Sequence, residues 1–125
     1  RTGSIMYNFV TAAVKAKPII VYGSGEQTRD FISVKDIVSI IKAAIDPKWD
    51  GKIVDCGTGQ EYTINYIAEL FAYFAPSYIS YKEAPKREIK WSIANTQMLK
   101  SLYKKPLITN LEKDINEIVE YYATN

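Results

Sequence analysis

The chain has 125 residues, 47% apolar and 24% charged, with a net charge of +2. That length bounds it to one ordinary domain or part of a larger one, and the composition is that of a folded globular protein. The near-balanced charge, with no basic stripe, gives no support to a nucleic-acid partner. One cysteine, Cys56, excludes an internal disulfide, and the lack of histidine excludes a histidine metal site and any Ser-His or Cys-His catalytic pair. No apolar run nears the ~20 residues that a membrane helix needs. The default expectation is a cytoplasmic protein without a membrane partner.

In chain order, Ile5, Met6, Phe9, Val10, Ala13 and Val14 form a helical stripe, with Ser4 as its N-cap and Pro18 as the stop after Lys17. Ile19-Ile20-Val21-Tyr22 reads as a short strand rich in β-branched residues. A glycine turn, Gly23-Ser24-Gly25, follows, and Arg29 to Ser33 reads as a second short strand. The next helix is expected from Val34 to Ile45, with Val34, Ile37, Val38, Ile41, Ala44 and Ile45 on its apolar face and Lys35 and Asp36 at its entrance.

Lys52 to Cys56 reads as a strand running into Gly57-Thr58-Gly59; its adjacent Ile53 and Val54 suit a strand covered on both faces, as in a parallel sheet. Thr63 is placed to cap a helix through Ala75, with Ile64, Ile67, Ala68, Phe71 and Phe74 inward. After Pro76, residues 77–81 read as a strand, 85–88 as a polar exposed stretch, and 89–93 as an alternating edge strand. Asn95 is expected to cap a short helix through Tyr103, and Asn110 a last amphipathic helix from Leu111 to Tyr122.

The glycine turn delivers Arg29 at the head of a short apolar run, Phe31-Ile32. A planar, permanently charged guanidinium beside such a turn suits a phosphate or carboxylate. The bland alternative is that Arg29 pairs with Asp30 or caps a nearby carbonyl.

The stretch Tyr22-Gly-Ser-Gly-Glu-Gln-Thr-Arg-Asp-Phe-Ile-Ser-Val-Lys-Asp36 resembles a signature of the extended short-chain dehydrogenase/reductase family, the NAD-dependent nucleotide-sugar epimerases and dehydratases. Residues 57–64 are similar to that family's Gly-Thr-Gly segment, which ends a strand of its large sheet, and Ala94-Asn95 and residues 102–106 to its carboxy-terminal pattern. The resemblance implies an α/β fold of short strands plus about five helices. It identifies residues 1–125 as the carboxy-terminal, substrate-binding portion of an extended Rossmann-type enzyme. The start at Arg1-Thr2-Gly3, like a mid-protein Arg-x-Gly of the family, carries the further expectation that the NAD-binding first half is absent.

What the resemblance implies for the site is a nucleotide diphosphate sugar gripped by Arg29, with Gln27 and Phe31 near the nucleoside. The family's second diphosphate arginine would fall on Pro85; Arg87 stands two residues on and is the replacement candidate, while Glu88 falls on the family aspartate. NAD is expected in the parent protein, bound mainly by the absent half, and not by this chain alone. A homodimer through helices of that half is a further implication. The catalytic Tyr-x-x-x-Lys pair needs a helix, where residues four apart are neighbours. The one such spacing, Tyr78 and Lys82, falls in an expected strand. The expected function is therefore the substrate-binding part of an epimerase of the UDP-glucose 4-epimerase kind. The alternatives are a dehydratase, decarboxylase or reductase of the same family, or a non-catalytic binding or assembly module.

Overall fold

Residues 3–125 are described by a computed structural model. Arg1 and Thr2, which open the Arg-x-Gly stretch, lie outside the described residues. Helix α1 (Ile5–Val14) starts where the Ser4 hydroxyl accepts the Tyr7 N–H at 3.3 Å. It ends earlier than expected. Ala16 adopts φ 52°, and the Lys17 N–H turns back to the Ala12 carbonyl at 2.9 Å. This left-handed closure satisfies the last carbonyls before the proline is reached.

Strand β1 (Ile19–Tyr22) pairs in parallel with β4 (Ile79–Lys82), from Ile19 opposite Ile79 to Tyr22 opposite Lys82. Helices α1 and α3 (Ile64–Phe74) pack against this ribbon, and α5 (Leu111–Thr124) packs on both of them. Thr63 and Asn110 cap α3 and α5 as expected, accepting from the Tyr66 and Lys113 N–H groups. The main core is Phe9, Val10, Ile19, Val21, Ile67, Phe71 and Ile115 with their neighbours, and the Phe9 and Phe71 rings meet edge to face at 6.1 Å. Each such fully buried large side chain contributes about 1.5–3 kcal/mol by leaving water.

A second small sheet carries the glycine turn forward into the site. Strand β2 is only Thr28–Arg29, antiparallel to β3 (Tyr62–Thr63). The expected strand 29–33 stops there because Asp30 turns its side chain to another loop and Ser33 already caps α2 (Val34–Ala43). On the other side of β2, the Thr28 and Asp30 N–H groups donate to the Lys90 and Ser92 carbonyls at 2.9 and 3.0 Å. The expected edge strand 89–93 is thus an extended segment holding β2 by two bonds. Helix α4 (Gln97–Leu102) is capped from Thr96, one residue later than expected, and Asn95 instead accepts the Gln97 N–H.

Two expectations fail for one reason. In α2 the buried residues are Asp36 and Ile40, and the apolar stripe read as inward faces out: Val34 is 71% exposed and Ile45 82%. Residues 52–56 form no strand, and Ile53 is 93% exposed. Among the described residues no strand pairs with this segment, and none covers the stripe. A second, smaller cluster forms behind them from Ile40, Trp49 and Leu99, with Val54, Leu102 and Leu107 against it.

Asp36 is buried, 2% exposed, because it is fully engaged. Its carboxylate accepts the Ile108 N–H at 2.9 Å and the Thr109 N–H at 2.8 Å, along with the Thr109 hydroxyl. This ties the first turn of α2 to the lead-in of α5. Asp36→Ala leaves the part-buried Ile108 and Thr109 N–H groups without this acceptor, each costing about 1–3 kcal/mol. We expect a loss of about 3 kcal/mol in urea unfolding. Ile45→Lys, on the exposed stripe, should shift stability by less than about 0.5 kcal/mol.

Candidate functional site

The site is built outward from the turn 23–26. Gly25 has φ 77°, and a Cβ there would lie 1.9 Å from Asn65 Oδ1. Asn65, in the first turn of α3, donates through Nδ2 to the Ser24 carbonyl at 3.0 Å and to Glu26 at 2.8 Å. Gln27 Nε2 donates to the Tyr22 carbonyl at 2.8 Å and closes the turn from inside, while its own carbonyl accepts the Ile64 N–H. The turn is therefore locked against α3, and β2 leaves it in a fixed direction.

Arg29 lies in a cleft of about 390 Å³ lined also by Asp30, Asp55, Cys56, Gly57 and the segment 92–94. That is a size suited to a small organic ligand. Arg29 Nη1 donates to the Thr28 carbonyl at 2.7 Å, and Nη2 lies 3.6 Å from Glu88 Oε1. The carbonyl contact anticipated for Arg29 is thus present, but its acidic neighbour is Glu88 and not Asp30. Asp30 is occupied elsewhere. Its carboxylate accepts the Thr58 N–H at 3.0 Å, the Thr58 hydroxyl at 2.6 Å, the Gly59 N–H at 2.9 Å and the Ala94 N–H at 3.3 Å. Gly57 is wedged beneath it: a Cβ would meet Ala94 Cβ at 2.4 Å and Asp30 Oδ2 at 2.7 Å.

Burial pushes the Asp30 carboxyl up, but the donors from Thr58, Gly59 and Ala94 outweigh it and hold the group below the ordinary 3.8. A depressed native pKa gives stability that is present above the unfolded pKa and lost as pH falls through the native one.

The four residues singled out by resemblance do not share one cleft. Arg29 faces the cleft just described. Arg87 is exposed in the turn 86–87, next to Glu88, and makes no ion pair among the described residues. Phe31 lies on the other side, lining a separate cavity of about 460 Å³ with Tyr62, Tyr66, Thr109 and Glu112. Gln27 is engaged inside the turn. Sequence reasoning missed Asp30 as the organiser of the cleft, though it is the residue after Arg29 in the motif.

Neither glycine turn fits a dinucleotide pyrophosphate. That cradle needs backbone N–H groups open at a helix N-terminus. Here the space beside Gly25 is filled by Asn65, that beside Gly57 by Ala94 and Asp30, and the Thr58 and Gly59 N–H groups are already given to Asp30. Tyr78 stands just before β4 and Lys82 ends it, so the two are not helical neighbours. Among the described residues no His/Cys/Asp/Glu group is arranged to hold a metal ion, and no helix is long and apolar enough to cross a membrane.

Residues 1–57 match the model of the NAD dependent epimerase/dehydratase family. A UDP-N-acetyl-alpha-D-glucosaminuronate decarboxylase of Bacillus cytotoxicus is 37% identical over 65 residues, covering 52% of this chain and 20% of that protein. A putative UDP-glucose 4-epimerase of Methanocaldococcus jannaschii is 28% identical over 120 residues, covering 94% of this chain and 38% of the relative. Other relatives are dTDP-glucose 4,6-dehydratases and UDP-glucuronic acid decarboxylases. The solved UDP-glucose 4-epimerase of Thermotoga maritima, with UDP-glucose, superposes with a TM-score of 0.89 at 23% identity, over 98% of this chain and 40% of that one. Solved structures of this fold also carry NAD. The chain thus spans a fifth to two fifths of the length of the proteins it is compared with.

Asp30→Asn keeps the shape of the carboxylate but not its charge. Wild-type stability should fall as pH is lowered below about 4, and in Asp30→Asn that acid-dependent loss should be smaller, measured by thermal melts from pH 7 to pH 2.5.

Proposed function

We propose that this chain, which belongs to the NAD-dependent epimerase/dehydratase family, is the nucleotide-sugar-binding region of an enzyme that acts on nucleoside-diphosphate sugars. The observation that carries this reading is Arg29. It is a guanidinium held by its own strand carbonyl at the rim of a cleft of about 390 Å³, with donors left over for a ligand anion. We assign Arg29 to the diphosphate as its main clamp and Arg87, the residue before Glu88, as a second. Gln27 supports the site by keeping the turn closed. Phe31 faces a different cavity, so its place near a nucleoside requires a ligand that reaches around β2.

The most specific version of this reading is an epimerase of the UDP-glucose 4-epimerase kind. It is supported by a relative that matches over 94% of the chain and by the substrate seen in a structure of the same fold. NAD supplies hydride transfer in such enzymes, and neither glycine turn among the described residues is open to its pyrophosphate. We therefore assign NAD and the proton-transferring tyrosine to a partner region with a parallel sheet. The exposed stripe of α2 and the strandless edge 52–56 are the surfaces that such a sheet would cover. A role as a binding module without catalysis is the second reading, favoured by the same want of a Tyr-Lys helical pair.

The test is a thermal melt of the chain alone and with UDP, dTDP, GDP, CDP and NAD in turn. A ligand at ~100 times its dissociation constant stabilises by about 2.7 kcal/mol, several degrees at this size. We expect a shift with one nucleoside diphosphate, none with NAD, and loss of the shift in Arg29→Ala. A shift that survives Arg29→Ala would overturn the assignment.

A further inference from the structure

We infer that Glu88 is the resident counter-ion of Arg29, a built-in anion that an incoming diphosphate must displace. This deepens the diphosphate reading above and rests on it. The two side chains are about four-fifths buried, at 22% and 20% exposure, and the Nη2 to Oε1 distance is 3.6 Å. That is an ion pair without a close hydrogen bond, so the guanidinium edge is occupied but not saturated. Arg29 itself is fixed, because Nη1 is held by the Thr28 carbonyl at 2.7 Å and its backbone lies in β2.

Glu88 is not fixed in the same way. The last residue of β4 is Lys82, and the next backbone bond to β2 is made at Lys90. Residues 83–89 lie outside both ladders, with Arg87 beside Glu88 at the turn. Glu88 can therefore leave without breaking strand pairing, while Arg29 cannot. The half of the pair that moves is the acid.

This arrangement selects by charge. A tethered carboxylate competes at high effective concentration with any dissolved anion. A ligand with one weak anionic group gains little by replacing it. A diphosphate brings more charge and more oxygens than one carboxylate, and can use the donors that Glu88 leaves idle. Its arrival also releases residues 83–89, and Arg87 with them, to close on the bound phosphates. Glu88 is thus a positioning residue that sets a threshold for occupancy of the clamp.

The experiment is calorimetric titration of the full chain at low salt with inorganic pyrophosphate and, separately, orthophosphate. A solvent-accessible ion pair at 3.6 Å without a close hydrogen bond corresponds to a gain of about two- to fivefold in pyrophosphate affinity for Glu88→Gln. The proportional gain for orthophosphate should be larger, so that the preference for pyrophosphate narrows. The gain should vanish in Arg29→Ala/Glu88→Gln. It should also be absent from Glu83→Gln, which removes a carboxylate from the same segment without touching Arg29. Glu88→Asp, which keeps the charge on a shorter arm, should fall between wild type and Glu88→Gln and serves if the amide variant melts poorly. Unchanged or weaker binding in Glu88→Gln, or an equal gain in Glu83→Gln, while wild type binds through Arg29, overturns the counter-ion role and leaves the diphosphate site standing. No binding by any variant overturns the diphosphate reading and this inference together.

Discussion

The Asp30 carboxylate is the interaction on which the cleft depends. Four donors converge on it, two from the Thr58 backbone and hydroxyl, one from Gly59 and one from Ala94. Three stretches of chain that share no strand ladder are thereby pinned around the residue next to Arg29. The donors also stabilise the ionised form, so the carboxylate is held in place by dipoles of its own loops and not by Arg29. Were those donors unmade, Asp30 would be the obvious partner for Arg29 and the cleft would lose its cation. The arrangement that shapes the wall is the same one that keeps the guanidinium available.

Asp36 repeats the device at the first turn of α2, where it holds the approach to α5. Five residues separate the two aspartates, and both reach across the fold to backbone N–H groups. Their bonds span 28 and 72 residues of sequence. Short charge-assisted bonds of this reach do for the loops what strand pairing does for β1 and β4.

Local chemistry was legible in the sequence, and long-range chemistry was not. Ser4, Thr63 and Asn110 cap their helices because capping depends on residues three apart. The apolar periods of α1, α3 and α5 likewise named their buried faces. The glycine turn and Arg29 were readable as a motif, and the turn has the predicted form. The two aspartates were not, since nothing near Asp36 tells of an acceptor needed 72 residues away. The α2 face and residues 52–56 were misread because hydrophobicity marks what is to be covered and not by which chain. Val34, Ile41 and Ile45 are as apolar as any core residue, yet among the described residues nothing covers them.

The smaller cluster of Ile40, Trp49 and Leu99 has a consequence for how the molecule breathes. It contains few fully buried side chains, and the Trp49 indole N–H is buried there without a hydrogen-bond partner. The three-helix core has neither weakness. Amide hydrogens around α2, α4 and residues 47–57 should therefore exchange through openings that leave α1, α3 and α5 intact. That weaker unit contains the exposed stripe and one wall of the Arg29 cleft. Whatever covers the stripe would thus tighten the cleft by suppressing these openings, coupling the two faces through local stability, without any change of shape.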